Sequence, residues 1–205
     1  MGIRFGSATG LEMIHYMFES PFEDSSSTSL SYKFLKSYDN MVSIDTNVLY
    51  ALLHESIYCQ GASSNWAAED VRKKYQAKIC PNFDVAQALK KELPIYFTGE
   101  MIFPWMFEEI AQLRPLRESA DSVASRSWPS LYDENQLQKN EVPVAAAIYV
   151  EDMYVDFNMS LETVSKIKGI RTYVTNEYLH SGIRENGSKI LEKLMNMTRN
   201  VEPLR

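Results

Sequence analysis

The sequence predicts an α/β fold class: a mostly helical stretch over residues 1–139, followed by strand, helix, strand and helix over 140–205. Three observations carry this. VPVAAAIYV at 142–150 is a continuous apolar run without alternation, as expected of a strand buried on both faces of a parallel sheet. IRTYVTNEY at 170–178 is a second strand-like run, separated from the first by the helical segment LETVSKIK at 161–168 and the breaker Gly169. KILEKLMNM at 189–197 closes the order as an amphipathic helix, and two such strands joined through a helix imply a right-handed parallel crossover.

The region before this is read from helical spacing. In LEMIHYMFE at 11–19, Leu11, Ile14, Met17 and Phe18 share one face, and the polar run SPFEDSSSTS ends the element as a loop. A helix from Asn47 to Gln60 carries Leu49, Leu52, Leu53 and Ile57 on one side and is stopped by GASSN. Further helices are expected at 67–78, 84–92 and 106–125, the last broken near Pro115. DENQLQKNE at 133–141 reads as a polar turn that separates the helical stretch from the strands.

Composition bounds the partners. With 205 residues, 45% hydrophobic and 12% aromatic, the chain can bury the core of one globular domain, or of one domain with a sizeable insertion. A net charge of -6, without any run of five like charges, argues against nucleic acid or an anionic membrane surface as the main partner. The longest apolar stretches fall far short of the roughly 20 residues that cross a bilayer. MGIRFGSATG shows no apolar h-region and has Gly6 where a myristoylation signal needs Ser or Thr, so a cytoplasmic location is expected. Cys59 and Cys80 are then expected to be free thiols, and the N-x-S/T triplets at Asn158, Asn186 and Asn196 chance matches.

In open α/β sheets, catalytic groups gather beyond the carboxyl ends of parallel strands. Asp152 lies just past the first strand-like run and His180 just past the second. Neighbouring strand ends can bring an Asp within reach of a histidine Nδ1, the geometry by which a carboxylate orients a catalytic base. A strand-end Asp is also a common helix cap and a lone His a common surface residue, so spacing alone leaves both readings open.

The wording around these positions is more specific. NVLYALLHESIYCQG at 47–61, FTGEMIFPWMF at 97–107, WPSLYD at 128–133, NEVPVAAAIYVEDMYV at 140–155 and TNEYLHSGIRENG at 175–187 resemble the prolyl aminopeptidase (proline iminopeptidase) family, in order and over nearly the whole chain. The resemblance implies the C-terminal part of an α/β-hydrolase: residues 1–139 as a mostly helical cap or lid, and 140–205 as the last β-α-β-α of the core. It implies a serine-type aminopeptidase that releases N-terminal proline from short peptides, without metal or cofactor. By motif position Asp152 matches the family's catalytic acid and His180 its base. Cap glutamates are thought to bind the substrate's α-amine, and Glu55, with Glu100 as a second candidate, matches such a position. The alternative for Glu55 is a surface helix glutamate. Glu151 and Asp156 are expected to be solvated or capping.

Other chemistries fit less well. His54 and Glu55 open a zinc-protease pattern, but Tyr58 stands where the second His is required. Only His15, His54 and His180 are available, and no metal-ligand cluster is visible. Cys59, as a nucleophile, would lie in a cap helix far from the strand ends. A nucleophile elbow needs G-x-S-x-G, and GSATG at 6–10 puts Ala8 at its centre. The expectation is therefore a truncated chain, inactive alone, because loss of a triad nucleophile costs on the order of a millionfold in turnover. A two-strand remnant would also leave an apolar edge and face uncovered, lowering stability. That edge supports an alternative reading as a non-catalytic interaction fragment that pairs with a full-length hydrolase.

Overall fold

The computed structural model describes residues 2–78 and 81–199. The chain divides into two compact units, one of Met1–Gly2 and Tyr16–Leu131, the other of Ile3–His15 and Tyr132–Arg205. The second unit thus draws a segment from the start of the chain into company with its last third.

Helices make up the first unit. Most of the 3-10 turn at Gly2–Gly6 and of α1 (Gly10–Glu19) belongs to the second unit, and the first unit continues with α2 (Tyr32–Met41). The hydroxyl of Ser31 accepts the Phe34 N–H at 3.1 Å and starts α2, whose buried Phe34 packs on Phe18 at 5.4 Å. This helix was not anticipated, since the serine-rich run hides the one serine that caps it. The helix expected over 47–60 divides: α3 covers Val48–Leu53, and a 3-10 turn follows at Glu55–Tyr58. The Ser56 hydroxyl donates to the Leu53 carbonyl at 2.6 Å, which offers the chain a local bond in place of the α-helical ladder. Next come α4 (Ala67–Lys78), α5 (Val85–Lys90), α6 (Met106–Glu109), a 3-10 turn at Arg114–Leu116 and α7 (Arg117–Ser125). Pro115 sits in the first turn of that 3-10 segment, where its missing N–H costs nothing.

Ala51, Ile102, Phe107, Leu113 and Ala120 form the core of this unit. Trp66 lies beside it with its ring 5.9 Å from that of Phe107. Its φ of +61° is a left-handed conformation that costs a non-glycine residue on the order of 1–2 kcal/mol. The indole N–H donates to Asp121 at 2.9 Å, and the neighbouring Asn65 N–H donates to the Ala124 carbonyl at 2.9 Å, so both bonds tie the strained turn to α7. On α4, Glu69 is buried and takes two bonds from Arg72, at 2.8 and 2.9 Å; the guanidinium holds this carboxyl below the usual range. Cys59 is buried as a free thiol, whereas Cys80 lies outside the described residues.

The second unit holds the sheet. A one-turn helix, α8 (Glu134–Leu137), occupies the expected polar turn, and then come β1 (Val144–Tyr149), α9 (Phe157–Ser165), β2 (Ile170–Thr175) and α10 (Gly182–Thr198). The strands pair in parallel from Val144 with Ile170 to Tyr149 with Thr175. Asp156 starts α9 by accepting the Met159 N–H at 2.8 Å, four residues ahead of the expected helix. Gly169 at φ +76° turns the chain into β2. Asn186 kinks α10, which begins seven residues ahead of the expected start, and its glycines at 182 and 187 mask that first part in the sequence. β1 differs from the fully buried strand expected: only Ile148 is buried, because the sheet has two strands among the described residues. Among those residues no helix is long and apolar enough to cross a membrane.

His54 makes the first unit sensitive to pH. It is 3% exposed, between the rings of Tyr50 (4.7 Å) and Tyr58 (5.6 Å), and neither ring nitrogen finds a hydrogen-bond partner among the described residues. Burial holds the imidazole below its ordinary value, against the opposing pull of Glu100 and Glu55. The folded state therefore binds fewer protons than the unfolded one, and stability falls as pH drops below about 6.5, by up to about 1.4 kcal/mol per pH unit. All three tryptophans, Trp66, Trp105 and Trp128, lie in this unit, so their fluorescence follows its unfolding. Urea melts at pH 7 and pH 5 should show a larger loss for the native chain than for His54→Phe; equal losses would refute the assignment. By the same readout, Phe107→Ala, at a side chain 1% exposed, should cost about 3–5 kcal/mol.

Candidate active site

Parallel register brings the ends of β1 and β2 side by side, and the chain turns sharply at each. The Val150 N–H donates to the Thr175 carbonyl at 3.0 Å, extending the ladder one step past Tyr149. Asp152 then closes a tight turn, its backbone N–H on the Tyr149 carbonyl at 3.3 Å and its Oδ1 accepting the N–H groups of Tyr154 (2.9 Å) and Val155 (3.1 Å). After β2, the Glu177 N–H on the Thr175 hydroxyl and the Gly182 N–H on the Leu179 carbonyl fold the chain back, which sets His180 over this carboxylate.

His180 Nδ1 lies 3.0 Å from Asp152 Oδ2 and 3.2 Å from Oδ1. A carboxylate can only accept, so Nδ1 carries the hydrogen and Nε2 is left as the basic nitrogen. The Asp152 side chain is 5% exposed and the His180 side chain 50%, an arrangement in which the acceptor is enclosed while the ring stays accessible. Backbone donors and imidazole together satisfy the buried carboxylate, and such a pair can orient a histidine as a general base.

The other two expected site residues lie in the helical unit. Glu55 is half-buried at the 3-10 turn, where Oε1 accepts the Ala68 N–H at 3.1 Å in the first turn of α4. This is a favourable place for a carboxylate, because the first N–H groups of a helix have no partner within it. Its Oε2 is buried without a partner among the described residues, beside a small pocket lined by Trp66, Ile102, Ser56 and Ser64. Glu55 is therefore not a free surface glutamate. Glu100 accepts long hydrogen bonds from the hydroxyls of Tyr50 (3.4 Å) and Tyr58 (3.5 Å). Burial pushes the Tyr58 phenol up, and Glu100 adds to the effect.

The structure thus joins Asp152 to His180, and sets Glu55 and Glu100 within electrostatic range of the same buried His54. Asp156 is a helix cap, as the sequence allowed, and Glu151 is exposed. Sequence reasoning missed His54 as the centre of the acidic cluster and Tyr154 as a neighbour of His180. The Tyr154 ring stands perpendicular to the imidazole with centroids 5.0 Å apart. Among the described residues no group of three His, Cys, Asp or Glu could hold a metal ion.

No protein-family model matches the chain. A proline iminopeptidase of Aeromonas sobria is 43% identical over 199 residues, covering 97% of this chain and 44% of that relative. A proline iminopeptidase of Aspergillus aculeatus is 39% identical over 149 residues, covering 72% of this chain and 32% of its own length. The chain spans less than half the length of these curated relatives. Identity at this level over nearly the whole chain reflects common descent: the chain is homologous to part of these proline iminopeptidases.

Proposed function

We propose that this chain carries the acid and base of a serine-type aminopeptidase that releases N-terminal proline from short peptides. The observation that supports this reading most directly is the Nδ1 to carboxylate bond of His180 and Asp152, with the carboxylate anchored by two backbone N–H groups. In the proposed reaction His180 Nε2 takes the proton of a serine hydroxyl as that oxygen attacks the scissile carbonyl. It then returns the proton to the leaving amine, while Asp152 holds the tautomer and faces the imidazolium that forms. Neither a metal nor a cofactor takes part. The 205 residues contain no G-x-S-x-G, so the serine comes from outside this sequence, and the chain alone is catalytically silent.

In this reading residues 1–139 are the mostly helical cap, and residues 140–205 belong to the C-terminal end of an α/β-hydrolase core. The protonated α-amine of the substrate pairs with a cap carboxylate. Glu55 has an oxygen without a partner among the described residues for this role, and Glu100 supplies further negative charge. The enzyme acts in the cytoplasm. A second reading, a non-catalytic fragment that pairs with a full-length hydrolase through its sheet, is favoured by the exposed Val174 on β2 and Val150 at the end of β1.

Replacing the matched segment of the Aeromonas sobria enzyme by this chain tests the first reading. The chimera should hydrolyse proline p-nitroanilide with sensitivity to serine-directed inhibitors. His180→Ala should lower turnover on the order of a millionfold, and Asp152→Asn about ten-thousandfold. Glu55→Gln should raise KM more than it lowers kcat. An active chimera that tolerates His180→Ala would overturn the assignment. An inactive, folded chimera together with capture of full-length enzyme by this chain would favour the second reading.

A further inference from the structure

The geometry points to Tyr154 as a positioning residue for His180, clamped in turn by Ile3 and Gly6 of the early 3-10 turn. The inference rests on the acid–base reading of Asp152 and His180 and extends it to the start of the chain. A bond from Nδ1 to a carboxylate fixes one atom of an imidazole but leaves the ring free to pivot about that bond. A half-exposed histidine needs a second contact to hold its plane, and the Tyr154 ring, perpendicular to it at 5.0 Å, is that contact. The same residue reaches the other member of the pair through its backbone, since the Tyr154 N–H is one of the two donors to Asp152 Oδ1.

Tyr154 is itself held from far away in sequence. Its hydroxyl accepts the Gly6 N–H at 2.9 Å and donates to the Ile3 carbonyl, so one phenol closes both ends of the 3-10 turn. Gly6 is required there for want of space. A Cβ at position 6 would lie 1.9 Å from Cε2 of the Tyr154 ring and 2.6 Å from Cζ, distances that force the ring to move. A second tie runs from the Ala8 N–H to Glu185 at 3.4 Å, and Glu185 also accepts the hydroxyl of Ser181, the residue after His180. The segment 3–8 therefore braces the histidine loop from two sides, all of it within one compact unit.

Long-range proton–nitrogen NMR of the full 205-residue chain reads the neutral His180 ring directly, as the ratio of its Nδ1–H to its Nε2–H tautomer. Tyr154→Leu should lower that ratio about tenfold. Gly6→Ala, which displaces the ring without removing it, should lower it similarly. Tyr154→Phe, which keeps the ring and loses the two hydroxyl bonds, should lower it about threefold. A folded Tyr154→Leu variant with an unchanged ratio overturns the proposal; if that variant fails to fold, an unchanged ratio in Tyr154→Phe does so. Asp152→Asn separates this from the reading beneath it. Loss of the Nδ1–H preference there, with no response in the position 154 variants, refutes the positioning role alone, whereas no response to Asp152→Asn refutes the pair itself.

Discussion

Parallel pairing of β1 with β2, in the register that sets Tyr149 opposite Thr175, is the constraint on which the second unit depends. Parallel strands send their chains out of the sheet at the same end, so two loops with 28 positions between their key residues meet there. A shift of this register by one residue would reverse the faces of all six β2 side chains and move His180 away from Asp152. The starting end of β2 is secured by two further ties. At the entry to β2 the Asn140 amide bonds the carbonyls of Val142 and Lys168, and at the far end of α10 Arg171 reaches back to the Met197 carbonyl at 2.6 Å.

The helical unit is organised around a different tension. Its core is apolar, yet polar groups are buried next to it: Glu69 with its Arg72 fork, Glu55 on the first turn of α4, and His54 between two tyrosines. The first is fully compensated by charge. The other two are not: among the described residues one oxygen of Glu55 and both ring nitrogens of His54 find no hydrogen-bond partner, which is costly in a protein interior. The use of Glu55 as a helix cap holds its carboxylate in one orientation, which is what recognition of a substrate amine would also require.

Homology and geometry bear on different residues. One relative matches nearly the whole chain, but identity does not say which atoms meet. Geometry adds the bond between His180 and Asp152, the ring of Tyr154 beside them and the turn of residues 3–6 behind it. The early segment Ile3–His15 sits with the last third of the chain, so a division into a first helical part and a later sheet part describes the order of elements better than it describes the compact units.

Taken alone, the sequence determined the elements whose pattern is local. The unalternating runs at 142–150 and 170–178, the helical spacing at 11–19 and 67–78 and the breaker Gly169 all register in the backbone within a few residues, because side-chain periodicity and φ preference act at that range. It also placed Asp152 and His180 just past strand ends. The helix at Tyr32–Met41 and the first part of α10 were illegible because their signals, one capping serine and a glycine-interrupted turn, are weaker than the polar composition around them. Tertiary structure alone decided that Nδ1 lies 3.0 Å from the carboxylate, that β1 is half rather than fully buried, that Glu55 serves α4, and that Tyr154 is held by residues about 150 positions before it. Such contacts depend on strand register and on packing between distant segments, and a local pattern of residue types carries neither.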